Sequence, residues 1–264
     1  MLTEARKQLR ITSLTIKYAL MREMLNKTTF ITSIIFMILN NAAFIVQWII
    51  IYSLKDNLGG YVFKDILLLW AIASGTYGVA HFFFKKSFSL SDIIVNGKLD
   101  SFLVQPKNVL LSCITTDVEV SALGDILYAY ILLFIYGVNI KNFILLSLFM
   151  IIGGLIITSV AVILASLSFW FSRSDLIADT INSQMTNFAT YPDSIFKGAA
   201  KVILFTIVPV GLASYIPLHM IRDFNLYIFL FEIIISIIFI ALAFIIFNKG
   251  LKRYSSSNLM IAKL

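Results

Sequence analysis

The sequence predicts an all-α integral membrane protein with six transmembrane helices, on three observations. Of its 264 residues 59% are hydrophobic and 13% charged, with 23 Phe, where a soluble domain is near half apolar and a quarter charged. Five apolar runs stand out at about 30–54, 66–84, 118–138, 143–171 and 228–247, and a bilayer core about 30 Å thick takes about 20 apolar residues per helix. Basic residues sit at both ends, so the positive-inside rule puts both termini in the cytoplasm and requires an even number of crossings. No soluble domain or repeat array interrupts this pattern, and residues 1–264 read as a single membrane domain.

Residues 1–28 carry Arg6, Lys7, Arg10, Lys17, Arg22 and Lys27 without a compact apolar core or small-residue cleavage site. They read as a retained cytoplasmic segment. Arg6, Arg10, Ser13 and Lys17 share one stripe and Ala5, Leu9, Ile16 and Leu20 a neighbouring one, as in an interfacial amphipathic helix. A plain basic topology signal is the alternative.

The first span carries Asn40, Asn41 and Gln47, which suit either a polar path or contacts between helices. In the second, Ala71 and Gly75, and Ser74 and Gly78, place small residues four apart, which favours close helix packing. Gly153 and Gly154 in the fourth span read the same way. Between the second and third spans, 85–110 mixes charge, Gly97 and Pro106 with Ile93, Ile94, Leu99, Phe102 and Leu103. Such a loop forms short interfacial helices whose apolar residues are available to a protein groove or the lipid boundary.

The fifth crossing is the ambiguous one. In 175–191, Asp175, Asp179, Asn182 and Thr186 follow one helical face and Ile177, Ile181, Met185 and Phe188 another. That makes it the favoured crossing, ended by Pro192. Residues 192–222 are broken by Pro209 and Pro217, which suits an outer re-entrant segment packed against protein. The opposite assignment, with 201–217 crossing, stays open. On this count the loops at Lys85, Lys86 and Arg173 and the tail with Lys249, Lys252, Arg253 and Lys263 are cytoplasmic.

Several chemistries are excluded. No phosphate-cradling G-x-x-x-x-G-K-[ST], H-E-x-x-H or G-x-S-x-G motif occurs. One cysteine, Cys113, and two histidines, His81 and His219, provide no zinc spacing. A net charge of +7 is explained by membrane topology, because the charges flank apolar runs instead of lining a nucleic-acid surface. Ionisable groups inside a membrane are costly and point to function or to buried contacts. Asp125 in the third span and Glu232 near the end of the sixth are of this kind, with a packing hydrogen bond or a snorkelled interfacial group as the plainer reading.

The layout resembles the membrane (permease) subunits of the second, exporter-related class of bacterial ABC transporters. The resemblance rests on the order of the basic amphipathic N-terminal helix, six spans, the inner loop with Gly97-Lys98-Leu99-Asp100 and Gln105-Pro106, and Tyr191-Pro192 followed by Pro209 and Tyr215-Ile216-Pro217. It covers most of the chain and is closest to a subgroup in which a G-x-L-D…Q-P loop and a Y-P…Y-x-P segment recur.

The resemblance implies two permeases, identical or related, in a bacterial cytoplasmic membrane. It also implies two copies of a separate cytoplasmic ATPase docked at a coupling helix in the inner loop, through Asp92, Ile93, Ile94, Gly97, Leu99, Asp100, Phe102 and Leu103. ATP and Mg would then belong to that ATPase, with no cofactor on this chain and no enzyme activity of its own. Candidate path residues are Asp125, Asp175, Asp179, Asn182 and Thr186; Tyr191, Pro192, Pro209, Tyr215 and Pro217 would form the outer re-entrant segment. An exported amphipathic cargo such as a peptide, lipid or drug fits the family and the apolar composition. Rival readings are an ATPase-independent channel or secondary transporter, and a peptide- or lipid-binding immunity or sensor protein.

Overall fold

The computed structural model describes residues 2–105, 107–171, 174–206 and 208–255, with side chains from residue 6 onward. The helices are α1 (Leu2–Glu23), α2 (Lys27–Leu54), α3 (Phe63–Phe84), α4 (Leu90–Val95), α5 (Asp100–Leu103), α6 (Val109–Ile114), α7 (Ala122–Gly137), α8 (Ile140–Ser166), α9 (Ser174–Ala189), α10 (Ala199–Thr206), α11 (Ile216–Arg222) and α12 (Leu226–Leu251). Among the described residues there is no β-strand, and the chain is a multi-pass helical membrane protein. Pro106, Arg173 and Lys263, and the side chain of Ala5, lie outside the described set.

Four helical stretches are each long and apolar enough to cross a bilayer: Lys27–Leu54, Phe63–Val95, Ile140–Phe169 and Leu226–Leu251. The α10 helix and the stretch Gly211–Arg222 pass the same test only as a pair, bent by 78°. The α7 and α9 helices have 16 residues each, about 24 Å at 1.5 Å per residue. By length and apolarity alone, four of the six expected crossings stand by themselves, with α7 and α9 the short ones.

Three of the apolar helices begin at an asparagine whose side chain accepts a backbone N–H of the first turn: Asn26 from Thr29 (3.1 Å), Asn139 from Asn142 (2.7 Å) and Asn225 from Tyr227 (2.9 Å). These caps satisfy donors that the helix leaves unpaired. The α3 helix starts at Phe63, earlier than hydropathy suggests, because Asp65 accepts from the Val62 N–H (3.0 Å). Conversely, α7 starts late, since Asp117 and Glu119 are drawn into ion pairs.

The most buried helix is α3, wrapped by α2, α7, α8 and the stretch 211–222. Small residues permit this. A Cβ on Gly75 would meet Met150 at 2.7 Å, and one on Gly153 would meet Thr76 at 2.9 Å. On α12, Glu232 is fully buried and neither carboxylate oxygen has a hydrogen-bond partner among the described residues. It therefore neither reaches water nor makes the packing hydrogen bond expected of it.

The bundle has two distinct ends. At the basic end, Arg22 pairs with Asp117 (2.6 Å), Lys86 with Asp117 (3.4 Å) and Lys85 with Glu119 (2.9 Å). These pairs tie the end of α1 to the bundle, helped by Ile16, Ala19 and Leu20 against Phe82, Val118 and Ala122. Leu9, expected on the apolar stripe, is exposed.

The 85–110 loop folds onto the same end. Gly97 has φ +70°, its N–H bonds Ile94 O, and the Lys98 N–H bonds Ile93 O (3.0 Å). This is a Schellman ending for α4, which favours glycine. Ile93, Ile94 and Leu99 are buried with Phe169 of the α8 end and Phe247 of α12, and Tyr254 donates to Asp100 (2.9 Å). Here the expectation of an apolar docking surface needs correcting: Ile93, Ile94, Gly97 and Leu99 face the chain's own core and anchor the loop. Of the residues expected to dock, Asp92, Asp100 and Leu103 face outward and Phe102 is half-buried, and Val95, Asn96, Lys98, Ser101 and Val104 are exposed beside them.

At the proline end, α9 stops at Ala189, just before Pro192. Asp193 accepts from the Tyr61 hydroxyl (2.5 Å) and pairs with Lys201 (2.9 Å), while Arg222 lies 3.5 Å from Asp65. The Tyr215 hydroxyl donates to Phe188 O (2.8 Å). Pro209 precedes a π-helical turn at Gly211–Tyr215 that runs directly into α11, where Pro217 is the second residue.

Candidate functional site

Between α2, α3, α9 and the start of α7 lies a cavity of about 400 Å³, within the range of small-molecule sites. Helical spacing puts its walls together. From α2 come Met37, Asn40, Asn41, Phe44 and Gln47; from α3, Trp70, Ala73, Ser74, Tyr77 and His81. Each set recurs every three or four residues and so shares one face. Thr186, Asn187, Thr190 and Tyr191 close it from α9 and the turn beyond, and Glu119, Ser121, Ala122 and Asp125 from the α7 side.

The walls run from the basic end, at Glu119 and His81, towards the proline end, at Trp70 and Tyr191. Trp70 to His81 is eleven residues, about 16 Å of helix. Phe44 stacks on Trp70 with centroids 5.6 Å apart, and Tyr191 meets Trp48 edge-on at 5.8 Å, so rings close the far end. His81 is stacked on Phe88 (4.0 Å).

The polar groups are unevenly satisfied. Asn41 Nδ2 donates to Asp125 at 2.6 Å, and Glu119 is paired with Lys85. The Trp70 Nε1 and Tyr77 hydroxyl are buried without a hydrogen bond of good geometry, the latter lying beside Thr186. Gly124 brings α7 within reach of α2: a Cβ there would sit 2.6 Å from Ile34 O. That close approach carries Asp125 to Asn41.

Of the expected path residues, the cavity brings together Asp125 and Thr186. Asp175, Asp179 and Asn182 lie elsewhere on α9, Asp179 exposed and Asn182 with a buried, unpartnered Oδ1. Asn40, Asn41 and Gln47 do line it. Sequence reasoning missed Trp70 and Tyr77, which look like any aromatic of a span. Their signal was positional, since they share a face with Ser74. Tyr191 and Pro192, expected in a re-entrant segment, lie just beyond α9, Tyr191 at the ring-lined end of the cavity; Pro209, Tyr215 and Pro217 are buried outside its lining.

Other reactive groups do not form sites. Among the described residues no cluster of metal-ligating side chains occurs. Cys113 is buried, and burial pushes its thiol up to about 12, which keeps it protonated at neutral pH. Burial alone would raise the Asp193 carboxyl, but hydrogen bonds from Tyr61 and Lys201 hold it below the ordinary range.

A helical bundle with several membrane-crossing helices and a largely apolar cavity that carries a few polar side chains is an arrangement that suits a membrane protein of the transport class. The chain belongs to a specific family within that class: the family model described as ABC-2 family transporter protein matches residues 37–258. Membership makes it a permease subunit of an ABC transporter and implies association with an ATPase subunit. Comparison with curated proteins and with solved structures finds no match.

Proposed function

We propose that the chain is the permease of an ATP-driven exporter in a bacterial cytoplasmic membrane, moving an amphipathic molecule through the α2–α3–α9 cavity. The observation that carries this reading is the cavity itself, apolar rings at one end and Asp125, Asn41 and Thr186 along its walls. Six crossings are formed by α2, α3, α7, α8, α9 and α12, with both termini cytoplasmic. Consistent with that, α9 starts at the basic end, where Ser174 meets Ser168 (2.8 Å), and finishes at the proline end beside Phe196 and Tyr215. The segment 192–222 then lies on the outer side as a re-entrant element.

Exposed Asn40 and Gln47 on α2 and Asp179, Ser183 and Asn187 on α9 would be costly against lipid. A second permease, identical or related, covers this face. Two ATPase subunits, which hold ATP and Mg, dock at the 85–110 loop through Asp92, Asp100, Phe102, Leu103 and Val104. Because Ile93, Ile94 and Leu99 fix that loop to α8 and α12, a push on it moves the bundle as a body and shifts the population of cavity states.

The test is purification of the tagged chain from its own membranes. A Walker-motif ATPase should co-purify and be released by Leu103→Asp with Val104→Asp, both outward-facing, while the chain stays folded. Retention of the ATPase by that double variant would refute the docking assignment. Transport by the chain with no ATPase present would refute the whole reading.

A further inference from the structure

We propose that the cavity selects organic monocations, such as a lipophilic amine or phosphonium. This deepens the reading of the cavity as the transport path and rests on it. Asp125 is the carboxylate that decides the matter. Among the described residues its partner is Asn41, whose amide donates at 2.6 Å but carries no charge to neutralise it. The other acid on the wall, Glu119, already has Lys85 at 2.9 Å.

No Lys or Arg is among the residues that line the cavity, so an anion would meet only repulsion from Asp125. A negative charge held at membrane depth without a counter-charge is costly. A bound cation offsets part of that cost, so the sign of a ligand's charge decides which of two molecules of the same shape the cavity holds better.

The rest of the wall suits the body of such a ligand. Phe44 and Trp70, stacked at 5.6 Å, offer aromatic surface, and ring faces attract cations as well as apolar groups. The Trp70 Nε1, buried without a partner among the described residues, and the Tyr77 hydroxyl, which lies beside Thr186, are donors for a carbonyl or ether oxygen on the same molecule. A cationic head at Asp125, an aromatic or aliphatic body and one acceptor oxygen would match the carboxylate, the rings and the Trp70 donor of the wall.

The experiment compares tetraphenylphosphonium with tetraphenylborate, matched in shape and opposite in charge. Binding to the full chain in nanodiscs is measured by equilibrium dialysis, with protein-free nanodiscs subtracted. Wild type should bind the phosphonium at least tenfold more tightly, and Asp125→Asn, which keeps shape and can still accept from Asn41, should remove that preference. Ser74→Trp, filling the cavity, should abolish binding of both ions. Equal binding of the two ions by wild type, both blocked by Ser74→Trp, overturns the cation selectivity and leaves the cavity as a path. A preference that survives Asp125→Asn overturns it too, by placing the charge readout elsewhere. If neither ion binds, or binding ignores Ser74→Trp, the selectivity fails together with the cavity reading.

Discussion

Replacing Gly124 by alanine adds one methyl at the point where α7 meets α2 and tests how the cavity is assembled. The new Cβ would stand 2.6 Å from Ile34 O and 2.8 Å from Met37 Cβ, where ordinary contact begins at 3.4 Å. The nearest atom is backbone, so no side-chain rotation relieves it and the helices must part by close to an ångström. Overpacking of this kind costs about 1–3 kcal/mol, while alanine gains up to about 1 kcal/mol over glycine in helix propensity. The net expectation is a destabilisation of about 1–2 kcal/mol by these terms. The same shift draws Asn41 away from Asp125, so ligand affinity should fall alongside stability. Reversible unfolding of the purified chain in mixed detergent measures the first effect and nanodisc binding the second. An alanine variant as stable as wild type, or more so, would refute the claim that this contact sets the α2–α7 distance.

Three further substitutions probe the supports. Gly97→Ala places a Cβ at φ +70° and should cost about 1–2 kcal/mol, seen as faster proteolysis within 85–110; unchanged cleavage would contradict the Schellman ending. Glu232→Leu removes a fully buried carboxyl with no hydrogen-bond partner among the described residues and should raise resistance to unfolding by about 1–3 kcal/mol; a loss of stability would show that the carboxyl has a partner in the membrane. Asp193 is held below the ordinary carboxylate range, so its charge stabilises the proline end above that range and the contribution is lost as pH falls through the lowered value. Tyr61→Phe deletes the 2.5 Å hydrogen bond, raises that value, and should move acid loosening of 192–222 to higher pH in a proteolysis titration; an unmoved midpoint would contradict it.

Hydropathy located α2, α3, α8 and α12 because lipid exposure is an average over about twenty residues and composition carries it. The amphipathic face of α9 and its stop before Pro192 were legible from helical period and the missing proline N–H. Less was legible where two segments share one surface. Ile93, Ile94 and Leu99 are apolar in a loop, and nothing local distinguishes a residue that docks a partner from one that packs on Phe169 and Phe247. Likewise, Trp70 and Tyr77 became cavity residues only when Asn41, Asp125 and Thr186 were brought opposite them from three other elements. Gly78 did announce close packing, but not that it would help set a carboxylate beside an amide, and the close approach at Gly124 was not read from the sequence at all.

On the proposed reading, a partner ATPase works through the 85–110 loop upon the cavity. ATP hydrolysis by the ATPase subunit, measured with and without the permease in nanodiscs, tests it most directly. The rate should depend on the permease, fall to the level of the isolated ATPase with Leu103→Asp and Val104→Asp, and change when Ser74→Trp fills the cavity. A hydrolysis rate indifferent to the presence of the chain, or to both sets of substitutions, would contradict it.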